Sequence, residues 1–150
     1  MAKIYISSVI EAPIETVWEY VRDFNGLPKW FPGVTDSYIE ADKRSDQVGC
    51  IRNFGLQEGA RMREQLLAFS DYAHSCTYKM LEGPLPVRNY GGAVRLLPVT
   101  DGDRTFAEYA VEFDCPPEQE NELITSLSKI YKGAFEHLMQ HLPATCKVVG

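Results

Sequence analysis

CIRNFGLQEGARMREQLLAF, residues 50–69, holds two alternating runs on either side of Gln57-Glu58-Gly59, a tight turn. In the second run Arg61, Arg63 and Gln65 share one parity and Ala60, Met62, Leu66 and Ala68 the other, the pattern of a strand with one face turned to a core. Glu64 falls in the apolar set and interrupts it. The turn pairs Leu56 with Ala60, Phe54 with Met62 and Arg52 with Glu64, so a guanidinium and a carboxylate stand opposite each other with Cβ atoms about 5 Å apart. On a solvated face such a pair contributes about 0.2–1 kcal/mol. Here Cys50, Phe54, Met62 and Leu66 place it inside, where desolvation is costly unless water or a ligand supplies further partners. That setting makes Arg52 and Glu64 the candidate functional pair.

The same parity argument extends outward. Strands read near residues 35–42, 48–56, 60–69, 75–82, 88–98 and 104–114, separated by turn-forming segments. Lys79 and Arg95 point out, which turns Cys76, Tyr78 and Met80, and then Tyr90, Gly92, Val94 and Leu96, toward the core. Glu108 and Glu112 do the same for Ala107, Tyr109, Val111 and Phe113. Gly91-Gly92 reads as a strand kink.

Before these strands, Lys3 to Ile10 is a further strand, Pro13 opens a helix over about 13–24, and Leu27, Trp30 and Phe31 suggest one more helical turn. After them, Pro116-Pro117 precedes a helix whose Leu123, Leu127, Ile130, Ala134, Leu138 and Leu142 recur every three or four residues. A helix of roughly 24 residues spans about 36 Å, enough to cross a sheet. The architecture expected is α+β: a curved seven-stranded antiparallel sheet wrapped around a long C-terminal helix, with two short helices after the first strand. The concavity between sheet and helix is where function is to be sought.

At 150 residues the chain is read as a single domain, 1–150, with core enough for a cavity. Its net charge of −6 and lack of a basic run argue against nucleic acid as a partner. No stretch approaches the about 20 apolar residues of a membrane span, so no stable membrane insertion is expected and the protein is read as cytoplasmic. Cys50, Cys76, Cys115 and Cys146 lack paired spacing and read as reduced, mostly core thiols. His137 and His141 stand one helical turn apart without a third ligand, so neither metal nor other cofactor is expected.

Ala12-Pro13-Ile14-Glu15-Thr16-Val17-Trp18, Asp23-Phe24 and Leu27-Pro28-Lys29-Trp30-Phe31-Pro32-Gly33-Val34 together resemble the N-terminal signature of the SRPBCC superfamily, which includes START-like and polyketide cyclase/dehydrase-like proteins. Glu64-Gln65-Leu66-Leu67, Asn89-Tyr90 and the last helix extend the resemblance over nearly the whole chain. Val48 to Arg52, Arg63 to Leu67 and Val94 to Val99 look most like the branch of plant abscisic-acid receptors and lachrymatory-factor synthase. The resemblance implies a helix-grip fold. It also matches Arg52 and Glu64 to an arginine and a glutamate that carry the synthase's chemistry. It departs from the receptors at their gate, where this chain has only Gln57-Glu58-Gly59, and at their latch, replaced by Leu85-Pro86-Val87. The loop from Gly83 to Arg88 is the candidate lid.

The reading that follows is a small hydrophobic or amphipathic, lipid-like ligand enclosed between sheet and helix, as in a carrier, store or sensor. Phe54, Met62 and Leu66 would line the site beside Arg52 and Glu64. Tyr78 and Met80, Tyr90 and Val94, and Tyr109 and Val111 would add the later strands. Ile130, Tyr131 and Ala134 would contribute the helix. An alternative is a metal-independent cyclase, dehydratase or isomerase in which Glu64 moves a proton and Arg52 stabilises an oxyanion. Another is a protein-interaction module using Trp30, Phe31 and the lid as an adhesive patch. The sequence does not set the oligomeric state.

Overall fold

β-branched and aromatic residues at alternate positions build seven strands in a chain whose computed structural model describes residues 1–142. In order come β1 (Ala2–Ile10), α1 (Ile14–Val21), α2 (Leu27–Trp30), β2 (Val34–Ile39), β3 (Ile51–Leu56), β4 (Arg61–Ser70), β5 (Ser75–Glu82), β6 (Arg88–Val99), β7 (Arg104–Asp114) and α3 (Glu120–His141). One antiparallel sheet runs β1-β7-β6-β5-β4-β3-β2. The fold is helix-grip α+β. Cys50, Cys76 and Cys115 are free thiols, while Cys146 lies outside the described residues.

Register shifts between β4 and β5, and between β6 and β7, mark local bends in the sheet. Ring contacts of Tyr131 and Phe135 with Tyr109 seat α3 on the concave face, at centroid separations of 4.8 and 5.2 Å. The helix buries Leu127, Tyr131, Ala134, Phe135 and Leu138. Ile130, on the expected apolar stripe, is instead 43% exposed. The two aromatic side chains are the larger apolar bodies, and turning them inward rotates Ile130 toward the flank.

Three boundaries differ from expectation. β2 stops at Ile39 because Glu40 turns out to grip Arg63, at 2.7 and 2.9 Å, and Ala41 and Asp42 take left-handed backbone. β3 begins only at Ile51, since Gly49 has φ of +96 and breaks the extended run. α1 ends at Val21 rather than near residue 24, where Asp23 instead accepts the Asn25 and Gly26 N–H groups in a turn. That early ending frees Phe24 to reach the sheet. Asp71, in the β4–β5 turn, accepts from Trp18 Nε1 at 2.8 Å and from Arg22 at 2.9 and 3.0 Å, fixing α1 and hence Phe24.

Candidate functional site

β3 and β4 pair in the register Phe54 to Met62 and Arg52 to Glu64. Both charged residues are buried, Arg52 at 7% and Glu64 at 4% exposure. Arg52 Nε and Nη2 donate to the same oxygen, Glu64 Oε1, at 2.9 and 2.7 Å, and Nη1 donates to the Phe24 carbonyl at 3.3 Å. Among the described residues, Oε2 has no hydrogen-bond partner. The guanidinium carbon lies 3.9 Å from the Phe24 ring centroid and 4.9 Å from that of Tyr78, so aromatic faces replace part of its lost hydration. Burial pushes the Glu64 carboxyl above the ordinary carboxylate range, against the pull of the Arg52 charge.

The pair forms part of the wall of a cavity of ≈ 490 Å³. Phe54, Met62, Tyr78 and Tyr90 continue the sheet wall, and Leu127, Ile130 and Tyr131 form the helix wall. Tyr131 is a hub: its hydroxyl lies 3.2 Å from the Tyr78 hydroxyl and is also hydrogen-bonded to that of Tyr90. Burial raises the phenols of Tyr78, Tyr90 and Tyr131 above the usual tyrosine value, so all three stay neutral.

Gly92 makes this cluster possible. A Cβ there would sit 2.5 Å from both Cζ and Oη of Tyr78. Gly92→Ala is therefore expected to displace the Tyr78 ring and cost about 1–3 kcal/mol, measurable by urea denaturation. Unchanged stability would show that the ring has room to move.

Six residues expected in the site do not line this cavity. Leu66, Val94, Tyr109, Val111 and Ala134 are fully packed core, and Met80 borders a separate hollow beneath the Gly83–Asn89 segment. Strand parity identifies the face on which a side chain lies but not its depth along the strand. Tyr109, for example, is covered by Tyr131 and Phe135.

Parity also missed the cavity's far side: Leu27, Phe31, Pro32, Gly33 and Val34 from the α2–β2 segment, Gln57 and Glu58 from the turn, and Pro84 and Leu85 from the candidate lid. The clustered apolar and proline residues of Leu27–Val34 were their available signal. Trp30, offered as an adhesive surface, is 2% exposed, and Phe31 faces the cavity.

His137 Nδ1 donates to the Trp30 carbonyl at 2.6 Å and His141 Nδ1 to the His137 carbonyl at 3.0 Å, so both histidines serve as helix and inter-helix tethers. Among the described residues no group of three or more His, Cys, Asp or Glu is placed to hold a metal, and no helix is long and apolar enough to cross a membrane.

Over 92 residues, 59% of this chain, the sequence is 25% identical to abscisic acid receptor PYL7 of Arabidopsis thaliana, and the match spans only 42% of that receptor's length. Among solved structures, protein XoxI of Bacillus cereus superposes with a TM-score of 0.85 at 26% identity, covering 95% of this chain and 96% of that one. A protein from Nitrosospira multiformis superposes with a TM-score of 0.81 at 26% identity, covering 95% and 97%. A family model described as polyketide cyclase / dehydrase and lipid transport matches residues 1–143. With nearly every residue inside that match and the helix-grip fold around it, this chain belongs to the polyketide cyclase / dehydrase and lipid transport family of the SRPBCC superfamily.

Proposed function

We propose that this protein binds a small apolar or amphipathic molecule in the cavity between sheet and α3, as a cytoplasmic carrier, store or sensor. The observation that carries the reading is a buried ion pair set into the wall of an open, mostly apolar cavity. A fold under selection for stability alone gains little from such a pair, because well-packed apolar side chains serve as well or better. The volume falls in the range of small-molecule sites, with apolar walls for affinity and a few polar groups for orientation. Lipid transport in the family's description and the abscisic acid in the plant relative's name point to the same class of cargo.

Native mass spectrometry of the purified protein is expected to show a species heavier than the apo chain by one small molecule, released on denaturation. Arg52→Leu and Glu64→Gln should each weaken its rebinding by about tenfold or more, the loss of a charge-assisted hydrogen bond. Rebinding unchanged in both variants would remove the pair from the site.

A second reading, catalysis, is favoured by one specific observation: Glu64, a cavity-lining residue, combines raised proton affinity with an oxygen, Oε2, that has no hydrogen-bond partner among the described residues. A guanidinium has five N–H donors, and Arg52 uses only three on Glu64 and Phe24. The remaining donors suit an oxyanion formed when Glu64 takes a proton in a cyclisation, dehydration or isomerisation. Recovery of the ligand chemically altered by wild type but intact from Glu64→Gln would select this reading over simple binding.

A further inference from the structure

The two edges of the sheet are built differently. β2, at one end, has six residues, a register shift between Val34 and Asp36, and the Asp36 carboxylate gripped by Arg61. A short strand, a bulge and a charge are devices that keep an edge from pairing with another chain. β1, at the other end, has nine residues in unbroken register with β7, with neither a bulge nor a proline. On its outer face Tyr5 is 58% and Val9 43% exposed, and they stand between the exposed Lys3 and Glu11. Among the described residues no further strand lies beyond it. Ile6 and Ser8, on the inner face, are only partly buried and open on a hollow framed by Lys132, Phe135 and Glu136 of α3.

An open strand of this length and apolarity offers a row of N–H and C=O groups to an extended chain. The sequence of β1 says which chain fits. When a second β1 is laid against it antiparallel, with a two-fold axis through Ser7, Lys3 stands opposite Glu11 and Tyr5 opposite Val9 on the outer face. Ile4 then meets Ile10, and Ile6 meets Ser8, on the inner face. Opposite charges and apolar neighbours are matched twice over, and every side chain keeps the face it has in the single chain. A slip of two residues either way sets Lys3 against Val9 or Pro13 and loses the match. We propose that β1 is a homodimer interface, where two copies join edge to edge in this register into one continuous sheet. The two α3 helices then run antiparallel on the same side, with Lys132 of one copy toward Glu136 of the other. No residue of β1 lines the ligand cavity, so both cavities stay open in the dimer.

The test is sedimentation velocity of the untagged full chain across the micromolar range, where monomer is expected to give way to dimer as concentration rises. Lys3→Glu and Glu11→Lys each set like charges opposite each other at both ends of the paired strands and should weaken the dimer about tenfold. The exchange Lys3→Glu/Glu11→Lys should restore it. Restoration separates this pairing from the contacts of Lys3 with Glu112 and of Glu11 with Arg104 inside each copy, at 3.9 and 3.5 Å, which the exchange leaves repulsive. Tyr5→Lys/Val9→Lys sets lysine against lysine at exposed positions and should leave only monomer, with the far-UV circular dichroism of wild type. A wild type that stays monomeric throughout overturns the proposal. So does a dimer that survives Tyr5→Lys/Val9→Lys, or one that the single charge changes do not weaken. Should the double-lysine variant fail to fold, the charge series decides alone.

Discussion

Arg52→Met and Glu64→Gln are each expected to lower folding stability by about 3–5 kcal/mol, and the double variant Arg52→Met/Glu64→Leu to recover that loss or exceed wild type by about 1–4 kcal/mol. The asymmetry follows from where the charges lie. Each single change leaves a charged or strongly polar group at a site less than a tenth exposed, with its partner removed. The double change removes both desolvation penalties and fills the space with apolar atoms beside Phe24, Phe54 and Tyr78, which already crowd the guanidinium. Urea denaturation of wild type, Arg52→Met, Glu64→Leu and the double variant completes a double-mutant cycle, with Glu64→Gln as the isosteric single change. A stable double variant that no longer retains the ligand would show that the pair is kept for binding or chemistry at the expense of stability. A double variant as weak as the singles would make the pair a structural requirement and undercut the functional reading.

The hairpin register was legible because its turn is short and its two faces differ sharply in polarity. A one-residue slip would have put Arg61 and Arg63 inside, whereas both instead pair with Asp36, Glu40 and Glu82 on the outer face. The long helix was legible from its period, yet how deeply Ile130 and Tyr131 are buried was not, because both fit an apolar stripe and line the cavity, and only packing against Tyr109 seals Tyr131. The cavity's extent was least legible. Period-two patterning reports a side chain's face, while an empty volume depends on which parts of the concave face α3 and the α2–β2 segment leave uncovered. Leu66 and Phe54 thus share a parity, but Leu66 is sealed in the core and Phe54 borders the cavity. Tyr78, Tyr90 and Tyr131 were each expected in the site, but the hydrogen bonds among them were not, because they come from β5, β6 and α3 and no spacing in the sequence joins them.

The two single variants should also differ in how their losses depend on pH. Burial raises the Glu64 carboxyl even with Arg52 beside it, so the native chain holds that proton more tightly than the unfolded chain does. The stability linked to this group is fully present below the unfolded carboxyl value, about 4.3, and is lost as pH rises through the folded value. In Arg52→Met the opposing guanidinium is gone and the folded value climbs further. The other titratable groups around the carboxylate do not compensate: burial pushes the Cys76 thiol up to about 11 and raises Tyr78, Tyr90, Tyr109 and Tyr131. The deficit of Arg52→Met relative to wild type is therefore expected to shrink on acidification, by up to about 1.4 kcal/mol per pH unit in the window between the folded wild-type value of Glu64 and the higher folded value of the variant. Glu64→Gln behaves oppositely: the stranded guanidinium cannot shed its proton in any accessible range, so only the wild-type carboxyl titrates, and the deficit should shrink as pH rises from the unfolded carboxyl value through the folded wild-type one and stay flat above it. Taking both variants relative to wild type cancels the surface carboxylates such as Glu40 and Asp71, whose arginine partners lower their proton affinity and which destabilise all three proteins alike in acid. Parallel pH profiles for the two deficits would mean that Glu64 titrates in the folded Arg52→Met variant as it does in the unfolded chain, as a carboxyl freely reached by solvent does, and the buried-carboxylate description of the site would fail.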